Sequence, residues 1–156
     1  MANRLRPLHL VAKVSLQQLE LLDQQGKHIK QYPISTSRFG LGCEEGSFRT
    51  PTGRFRIAEK IGVGEPAWMI FKGRSSTGIL AQQGGDEDLI LSRIFWLDGL
   101  DPENSNTHER YIYFHGTNQE ELIGTPASHG CIRLRNLDMI ELFDLVSVGD
   151  LVEITE

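Results

Sequence analysis

The stretch Arg110-Tyr111-Ile112-Tyr113-Phe114-His115-Gly116 is the most strand-like part of the sequence, because aromatic and β-branched residues favour strands and glycine ends them. Further segments of similar character lie on both sides of it, at residues 18–22, 28–34, 54–58, 68–72, 89–97 and 151–154. Only after Cys131 do apolar residues recur three and four apart, which predicts a helix that starts at residue 135 or 136 and ends near 145. The sequence therefore predicts a mostly-β fold, a β-sandwich or barrel with one short helix following the cysteine, in a single domain over residues 1–156.

The composition is that of an ordinary globular protein. The chain has 156 residues, 39% of them hydrophobic and 24% charged, which is long enough for one domain with its own core. With 21 acidic and 16 basic residues, the net charge is −5, which argues against a nucleic-acid partner because phosphates attract basic surfaces. The two cysteines, Cys43 and Cys131, give neither a disulfide framework nor a zinc-binding spacing.

The start of the chain lacks the features of an export signal. Residues 1–7 are basic, but no apolar core of roughly 7–15 residues follows them. The longest apolar run, residues 67–71, is far too short to span a bilayer. We therefore expect a cytoplasmic protein without a membrane span, or a periplasmic one if an export signal has been removed.

Proline and glycine suggest further local features. Because Pro33 cannot donate a ladder hydrogen bond, residues 32–36 are predicted to form an edge-like strand. Residues 73–78 are predicted to be a turn-rich connection. The glycine-rich stretches 37–47 and 73–88 are the candidates for a loop that covers a pocket.

The residues capable of chemistry lie between 115 and 133. His115-Gly116 ends the aromatic strand, and Ser128-His129-Gly130-Cys131-Ile132-Arg133 begins twelve residues later. A histidine can take the proton of a cysteine thiol, and a helix that follows at once would lower the pKa of that thiol through its dipole. Gly130 permits a sharp turn whose N–H groups can bind an oxyanion. The pattern predicts an acyl-transfer centre, without deciding which of His115 and His129 is the base.

The cysteines and Arg133 also allow other interpretations. Cys131 could be a small buried apolar residue, or could bind a metal with His115 and His129, although no fourth ligand is evident at a suitable spacing. Cys43 is predicted to be an incidental loop thiol. Arg133 either clamps a substrate carboxylate or pairs with a nearby acid.

Several motifs together resemble the L,D-transpeptidase (YkuD-like) catalytic domain. The central ones are His115-Gly116-Thr117-Asn118, Ile123-Gly124 and Pro126-Ala127-Ser128-His129-Gly130-Cys131-Ile132-Arg133-Leu134. The outer ones, in the family's order, are Tyr32-Pro33-Ile34-Ser35-Thr36, Thr50-Pro51-Thr52-Gly53-Arg54-Phe55 and Gly149-Asp150-Leu151-Val152-Glu153-Ile154. The resemblance covers nearly the whole chain, from about Leu10 onward.

This resemblance implies a β-sandwich-like domain and assigns roles to individual residues. Cys131 would be the nucleophile, His115 the base and His129 an orienting residue of the catalytic group. Gly130 would belong to the same group, because its N–H and that of Cys131 would bind the oxyanion. Arg133 would contact a substrate carboxylate or brace the pocket, with Ser128 and Gly116 also on the substrate side. The bond attacked would join the third and fourth residues of a peptidoglycan tetrapeptide stem. No metal or organic cofactor is implied.

The acceptor of the acyl group determines which reaction is performed. Water as the acceptor gives an L,D-carboxypeptidase, and we expect this reaction because no export route is evident. Its substrates would be soluble muropeptides or tetrapeptide precursors in the cytosol, as in peptidoglycan recycling. An amine gives an L,D-transpeptidase that forms cross-links or exchanges D-amino acids. A peptidoglycan-fragment binder without catalysis is the third alternative.

Overall fold

The computed structural model describes residues 7–156, so the basic start of the chain at residues 1–6 lies outside the described residues. Within the described range, the chain forms ten strands, one α-helix and three short 3-10 helices. The strands and the helix are β1 (His9–Lys13), β2 (Gln18–Leu22), β3 (His28–Pro33), β4 (Gly53–Ile61), β5 (Met69–Lys72), β6 (Ser75–Leu80), β7 (Ile90–Gly99), β8 (Tyr113–Gly116), β9 (Ile132–Leu134), α1 (Asn136–Leu145) and β10 (Leu151–Thr155). The predicted mostly-β fold with one helix after Cys131 is confirmed, and the extent of the domain over 1–156 stays a prediction.

All ten strands belong to one branched sheet. Its main path runs β3-β2-β1-β10-β4-β7-β5-β6, and β8 and β9 extend from the other edge of β7. The central strand β7 pairs with β5 near its start and with β4 further along, while β8 lies on its opposite side. The pairs β1–β10 and β8–β9 are parallel, and the other pairs are antiparallel. The site strands β8 and β9 are thus anchored on the longest strand of the fold.

A short bridge joins the segment after β3 to β9 and closes this part of the sheet into a ring. The N–H of Ser35 donates to the carbonyl of Arg133, and the N–H of Arg133 donates to the carbonyl of Ser35, both at 2.9 Å. The predicted edge strand is therefore correct as far as Pro33, where β3 ends, and wrong beyond it. After the proline the chain crosses to β9, where the free backbone groups of Ser35 find partners.

The ring encloses the main hydrophobic core. Its buried residues come from β1 to β4, β7 to β10 and α1, and they include Phe55, Phe95 and Phe114. A smaller apolar cluster of Met69, Phe71, Ile94, Trp96 and Tyr113 lies on the outer side of β5, β7 and β8, and Cys131 packs against it.

Strand periodicity places the candidate site on that outer face. Side chains alternate between the two faces of a strand, and Phe114 of β8 points into the main core with Ile132 and Leu134 of β9. Their neighbours His115 and Arg133 therefore share the opposite face, to which Tyr113 and Cys131 also belong.

Two local predictions were wrong. Residues 73–78 were expected to be turn-rich, but Ser75–Leu80 forms strand β6, joined to β5 by a tight turn in which Gly73 and Arg74 both have positive φ. This strand is almost entirely exposed and rich in serine and threonine, so no apolar alternation reveals it. The helix starts at Asn136, as predicted, but Cys131 was expected to lie directly before it, and β9 separates the two. Because the helix dipole acts only within about one turn of the helix end, the expected lowering of the thiol pKa by the dipole is also wrong.

The helix α1 is held at its C-terminal end by a lysine from β4. Lys60 Nζ donates to the carbonyls of Phe143 at 2.5 Å and Val146 at 2.7 Å, and it lies 4.2 Å from the centre of the Phe143 ring. A positive charge at this end of a helix offsets the partial negative charge of its free carbonyls.

Among residues 7–156, no helix is long and apolar enough to cross a membrane.

Candidate active site

The sulfur of Cys131 is held by backbone atoms that precede and begin β8. The N–H of Tyr113 donates to Sγ at 3.3 Å, and the thiol donates to the carbonyl of Tyr111 at 3.4 Å. Burial raises the pKa of the Cys131 thiol to about 12, in spite of the bond from Tyr113. In the resting protein the sulfur therefore carries its proton at neutral pH.

An open cleft of about 270 Å³ leads to this cysteine. Its lining residues are Glu45, Gly46, Phe48, Glu109, Arg110, Tyr111, Ile112, His129 and Cys131. Residues 45–48 form one wall of the cleft. The last residues of the glycine-rich stretch 37–47 therefore line the pocket. Cys131 is thus partly accessible although the surroundings of its thiol disfavour charge.

The turn that carries Cys131 is fixed by hydrogen bonds of its own residues. The hydroxyl of Ser128 donates to the carbonyl of Cys131 at 2.7 Å and accepts the N–H of Gly130 at 3.2 Å. Thr50 Oγ1 donates to the carbonyl of Gly130 at 2.9 Å. Gly130 has φ +128°, a conformation that residues with a side chain rarely adopt. Ser128, which was expected near the substrate, is fully buried, and its hydroxyl makes hydrogen bonds within the turn.

His115 is buried at the end of β8 in the state that a general base needs. Its Nδ1 lies 2.6 Å from the carbonyl of Gly116. Because a carbonyl only accepts, Nδ1 carries the proton and Nε2 is left with a free lone pair. Burial lowers the pKa of His115, and the charge of Arg133 adds to the lowering against the opposing charge of Asp88. The imidazole is therefore neutral near pH 7.

Gly116 shapes the site through close packing. A Cβ at this position would lie 2.4 Å from Oδ1 of Asn136 and 2.9 Å from the carbonyl of Leu91. Asn136, the first residue of α1, is fully buried and also receives a hydrogen bond from Ser92 Oγ at 2.6 Å. The glycine expected on the substrate side thus brings β8 against the start of the helix, and its carbonyl holds His115.

Arg133 is fully buried and makes its hydrogen bonds within the protein. Its guanidinium donates to Asp88 Oδ1 at 3.0 Å, to Gln119 Oε1 at 2.7 Å and to Ser35 Oγ at 3.1 Å. Of the two roles left open by the sequence, this placement favours bracing of the pocket over contact with a substrate carboxylate.

His129 stands at the rim of the cleft. Its ring lies 5.9 Å from each of the Phe39 and Phe48 rings, measured between centroids. Its Nδ1 is 3.4 Å from Oδ2 of Asp88, so one carboxylate contacts both His129 and Arg133. Sequence reasoning missed Asp88. The only signal was an acidic residue at the end of a glycine-rich loop, more than forty positions before its partners.

Two further features of the sequence concern Cys43 and a possible metal site. Cys43 lies in a loop with its sulfur 4.0 Å from the carbonyl of Thr52. Among residues 7–156, no group of three or more His, Cys, Asp or Glu side chains is arranged to hold a metal ion, so His115, His129 and Cys131 do not form such a group.

A neutral buried histidine and a cysteine thiol on one face of two paired strands, with a cleft open to the sulfur, define the class of cysteine acyl-transfer enzymes. The family model for the L,D-transpeptidase catalytic domain, YkuD, matches residues 7–154. The chain belongs to this family.

Individual relatives agree with this assignment. The chain is 39% identical over 74 residues to the L,D-transpeptidase-like protein YqjB of Bacillus subtilis (strain 168). The matched stretch covers 47% of this chain and 40% of the relative. An L,D-transpeptidase from Mycobacterium smegmatis superposes with a TM-score of 0.63 at 17% identity, covering 97% of this chain and 59% of that one. L,D-transpeptidase 3 from Mycobacterium tuberculosis, in complex with a faropenem-derived adduct, superposes with a TM-score of 0.62 at 18% identity, covering 97% and 61%. At these identities the two structures show the fold, and the chain spans less than two thirds of the length of each relative.

Proposed function

We propose that Cys131 accepts an acyl group from the L,D bond that precedes the terminal D-alanine of a peptidoglycan tetrapeptide stem. The hydrogen bond from His115 Nδ1 to the Gly116 carbonyl carries this proposal, because it leaves Nε2 free to accept a proton on the face shared with the thiol. Membership of the L,D-transpeptidase family supports the class of substrate.

The acylation step follows from these roles. Nε2 of His115 takes the thiol proton while Sγ attacks the carbonyl carbon of the third stem residue. The resulting oxyanion collapses, the bond to D-alanine breaks, and the proton passes from His115 to the departing amine. A thioester remains on Cys131. Because the resting sulfur is protonated, proton removal belongs to the attack itself, and the N–H of Tyr113 stabilises the charge that develops on sulfur.

The oxyanion would be bound by the N–H groups of Cys131 and Gly130. The N–H of Gly130 also donates to Ser128 Oγ at 3.2 Å, a long bond that it can share with a developing charge. The hydroxyl of Ser128 thereby keeps this N–H in place before substrate arrives.

The acceptor of the thioester separates two reactions that share every earlier step. Hydrolysis of soluble muropeptides in the cytoplasm is the reaction predicted from the sequence. Transfer to an amine is supported by the family, whose solved members include proteins named L,D-transpeptidase.

One reaction mixture distinguishes these outcomes. The protein is incubated with a disaccharide tetrapeptide, with and without a D-amino acid, and the products are identified by mass. Tripeptide in both mixtures shows hydrolysis, whereas an exchanged terminus or a dimer shows transfer. Cys131→Ala is expected to form no product, and Cys43→Ala serves as the matched control with full activity. Unchanged substrate in all mixtures, with fragment binding equal in wild type and Cys131→Ala, would show a binder and contradict the proposal.

A β-lactam provides a test that needs no acceptor. The M. tuberculosis structure described above carries a faropenem-derived adduct. We expect faropenem to increase the intact mass of this protein and of Cys43→Ala, but not that of Cys131→Ala. An equal adduct on the Cys131→Ala variant would place the reactive nucleophile elsewhere.

A further inference from the structure

The segment that ends at Asp88 has no regular secondary structure, yet side chains from the segment after β8 hold it in place. Asn118 Nδ2 donates to the carbonyls of Gly84 at 2.8 Å and Glu87 at 3.0 Å, and its Oδ1 accepts the N–H of Leu89 at 3.1 Å. Gln119 Nε2 donates to the carbonyl of Gly85 at 2.8 Å. The position of Asp88 is therefore tied to the strand that carries His115.

The carboxylate of Asp88 balances a charge that has no access to water. The side chain of Arg133 is fully buried, and Asp88 Oδ1 lies 3.0 Å from its Nη1. A buried guanidinium without a counter-ion is strongly unfavourable, so this contact fixes where the carboxylate must lie. The other hydrogen-bond partners of Arg133, Gln119 and Ser35, carry no charge.

The second oxygen of the same carboxylate faces His129. Oδ2 lies 3.4 Å from Nδ1, and a carboxylate at this position favours a proton on Nδ1. Phe39 and Phe48 pack near the ring and restrict its orientation. In this tautomer Nε2 is unprotonated, on a ring that lines the cleft with Cys131.

We propose that Asp88 is a positioning residue of the active site, whose carboxylate joins the buried Arg133 to His129 and thereby fixes the tautomer and orientation of His129 beside the Cys131 cleft. This inference rests on the proposed acyl transfer. It adds to that active site a residue from outside the segment that carries Cys131. Asp88 acts through other residues and touches no reacting atom.

The charges around the site agree with this role. Burial alone would favour protonated Asp88. The charge that His115 carries when it is protonated at low pH, the charge of Arg133, and hydrogen bonds from Arg133 and His129 together hold the pKa of the Asp88 carboxyl below its usual range. Asp88 and Arg133 are the charged groups that act on the pKa of His115. Removal of the Asp88 charge would therefore lower the pKa of His115 further and shift the acidic limb of the rate profile to lower pH.

The test compares three substitutions at two positions of one loop. Asp88→Asn should lower kcat for tetrapeptide cleavage about 10- to 100-fold, with a smaller change in KM, because misplaced groups act mainly on the chemical step. Asp86→Asn, the matched control, changes the same charge at an exposed position and should leave kcat unchanged. Asp88→Glu retains the charge and should recover part of the loss. Wild-type kcat in Asp88→Asn, with its circular dichroism unchanged, would overturn the proposal.

A measurement on the wild-type protein decides the matter even if Asp88→Asn does not fold. Nitrogen-15 NMR of the imidazoles should show the Nδ1–H tautomer for His129, and an Nε2–H tautomer would overturn the proposal. Failure of the proposed function has a different result. In that case the wild-type protein leaves the tetrapeptide intact and forms no faropenem adduct, while the NMR spectrum still reports the tautomer.

Discussion

At the residue scale, the main feature of the site is a nucleophile kept as a neutral thiol. Two backbone groups, from Tyr111 and Tyr113, contact the sulfur of Cys131, and burial opposes its ionisation. Many cysteine enzymes instead lower the thiol pKa with a helix end or a charged imidazole. In the proposed mechanism the neutral His115 takes the thiol proton only when the substrate is present, so reactivity toward simple alkylating agents should be low.

The pH dependence of alkylation tests this resting state. In Cys43→Ser, in which Cys131 is the only thiol, the rate of reaction with iodoacetamide should rise about tenfold per pH unit from about pH 7 to pH 10, without a plateau. The reason is that the thiolate fraction keeps growing until the pH approaches a pKa of about 12. A plateau near neutral pH would show a thiolate–imidazolium pair and contradict this prediction.

The sequence predicts Cys131, His115 and His129 as site residues from local signals, namely their spacing and the glycine between two of them. It could not reveal Asp88, which acts through contacts with residues 41 and 45 positions away. It also led to the wrong direction for the thiol pKa. That direction depends on burial and on the presence of β9 before the helix, and neither is a local property of the residues around the cysteine.

At the element scale, the junction of β8 with α1 depends on a position without a side chain. Gly116→Ala would place Cβ 2.4 Å from Asn136 Oδ1 and 2.9 Å from a backbone oxygen, which cannot move aside easily. We expect the free energy of unfolding to fall by about 1–3 kcal/mol and tetrapeptide cleavage to be lost, since the Gly116 carbonyl also orients His115. Urea unfolding and the product assay measure the two effects. Wild-type stability would show that the helix can move without cost.

The end of α1 offers a second prediction at this scale. Lys60→Met keeps an apolar stem against Phe143 but removes the charge that binds the last carbonyls of the helix. The free energy of unfolding should fall by about 1–2 kcal/mol. Lys72→Met, at an exposed position of β5, is the control and should have little effect. Equal stability of the two variants would exclude a capping role for Lys60.

The elements differ in how far the sequence predicted them. Strands with an apolar face, such as β10, and the helix with its spacing of three and four were predicted almost to their ends. The strand β6 was not, because it buries little and is held chiefly by backbone pairing with β5, which leaves no trace in the order of side chains.

At the scale of the whole molecule, the bridge between Ser35 and Arg133 helps to close the sheet into a ring. If this closure is as stable as the core, the amide protons of these two residues should exchange with solvent as slowly as those of the buried strand β7, although Ser35 lies outside any strand. The amide of Gly40, in a surface turn, should exchange rapidly by comparison. Hydrogen-exchange NMR measures all of them, and fast exchange at Ser35 would show that the ring opens locally.

The hydrogen bonds around the Cys131 sulfur also bear on how the protein withstands oxidants. Peroxides attack thiolates, and the sulfenic and sulfinic acids that result would end the activity of a cysteine nucleophile. A sulfur that keeps its proton and donates it to the carbonyl of Tyr111 offers little thiolate to such reagents. If the proton leaves only when a substrate carbonyl is in place, as the proposed mechanism requires, the same arrangement that makes the resting site unreactive would protect it from oxidative damage between turnovers.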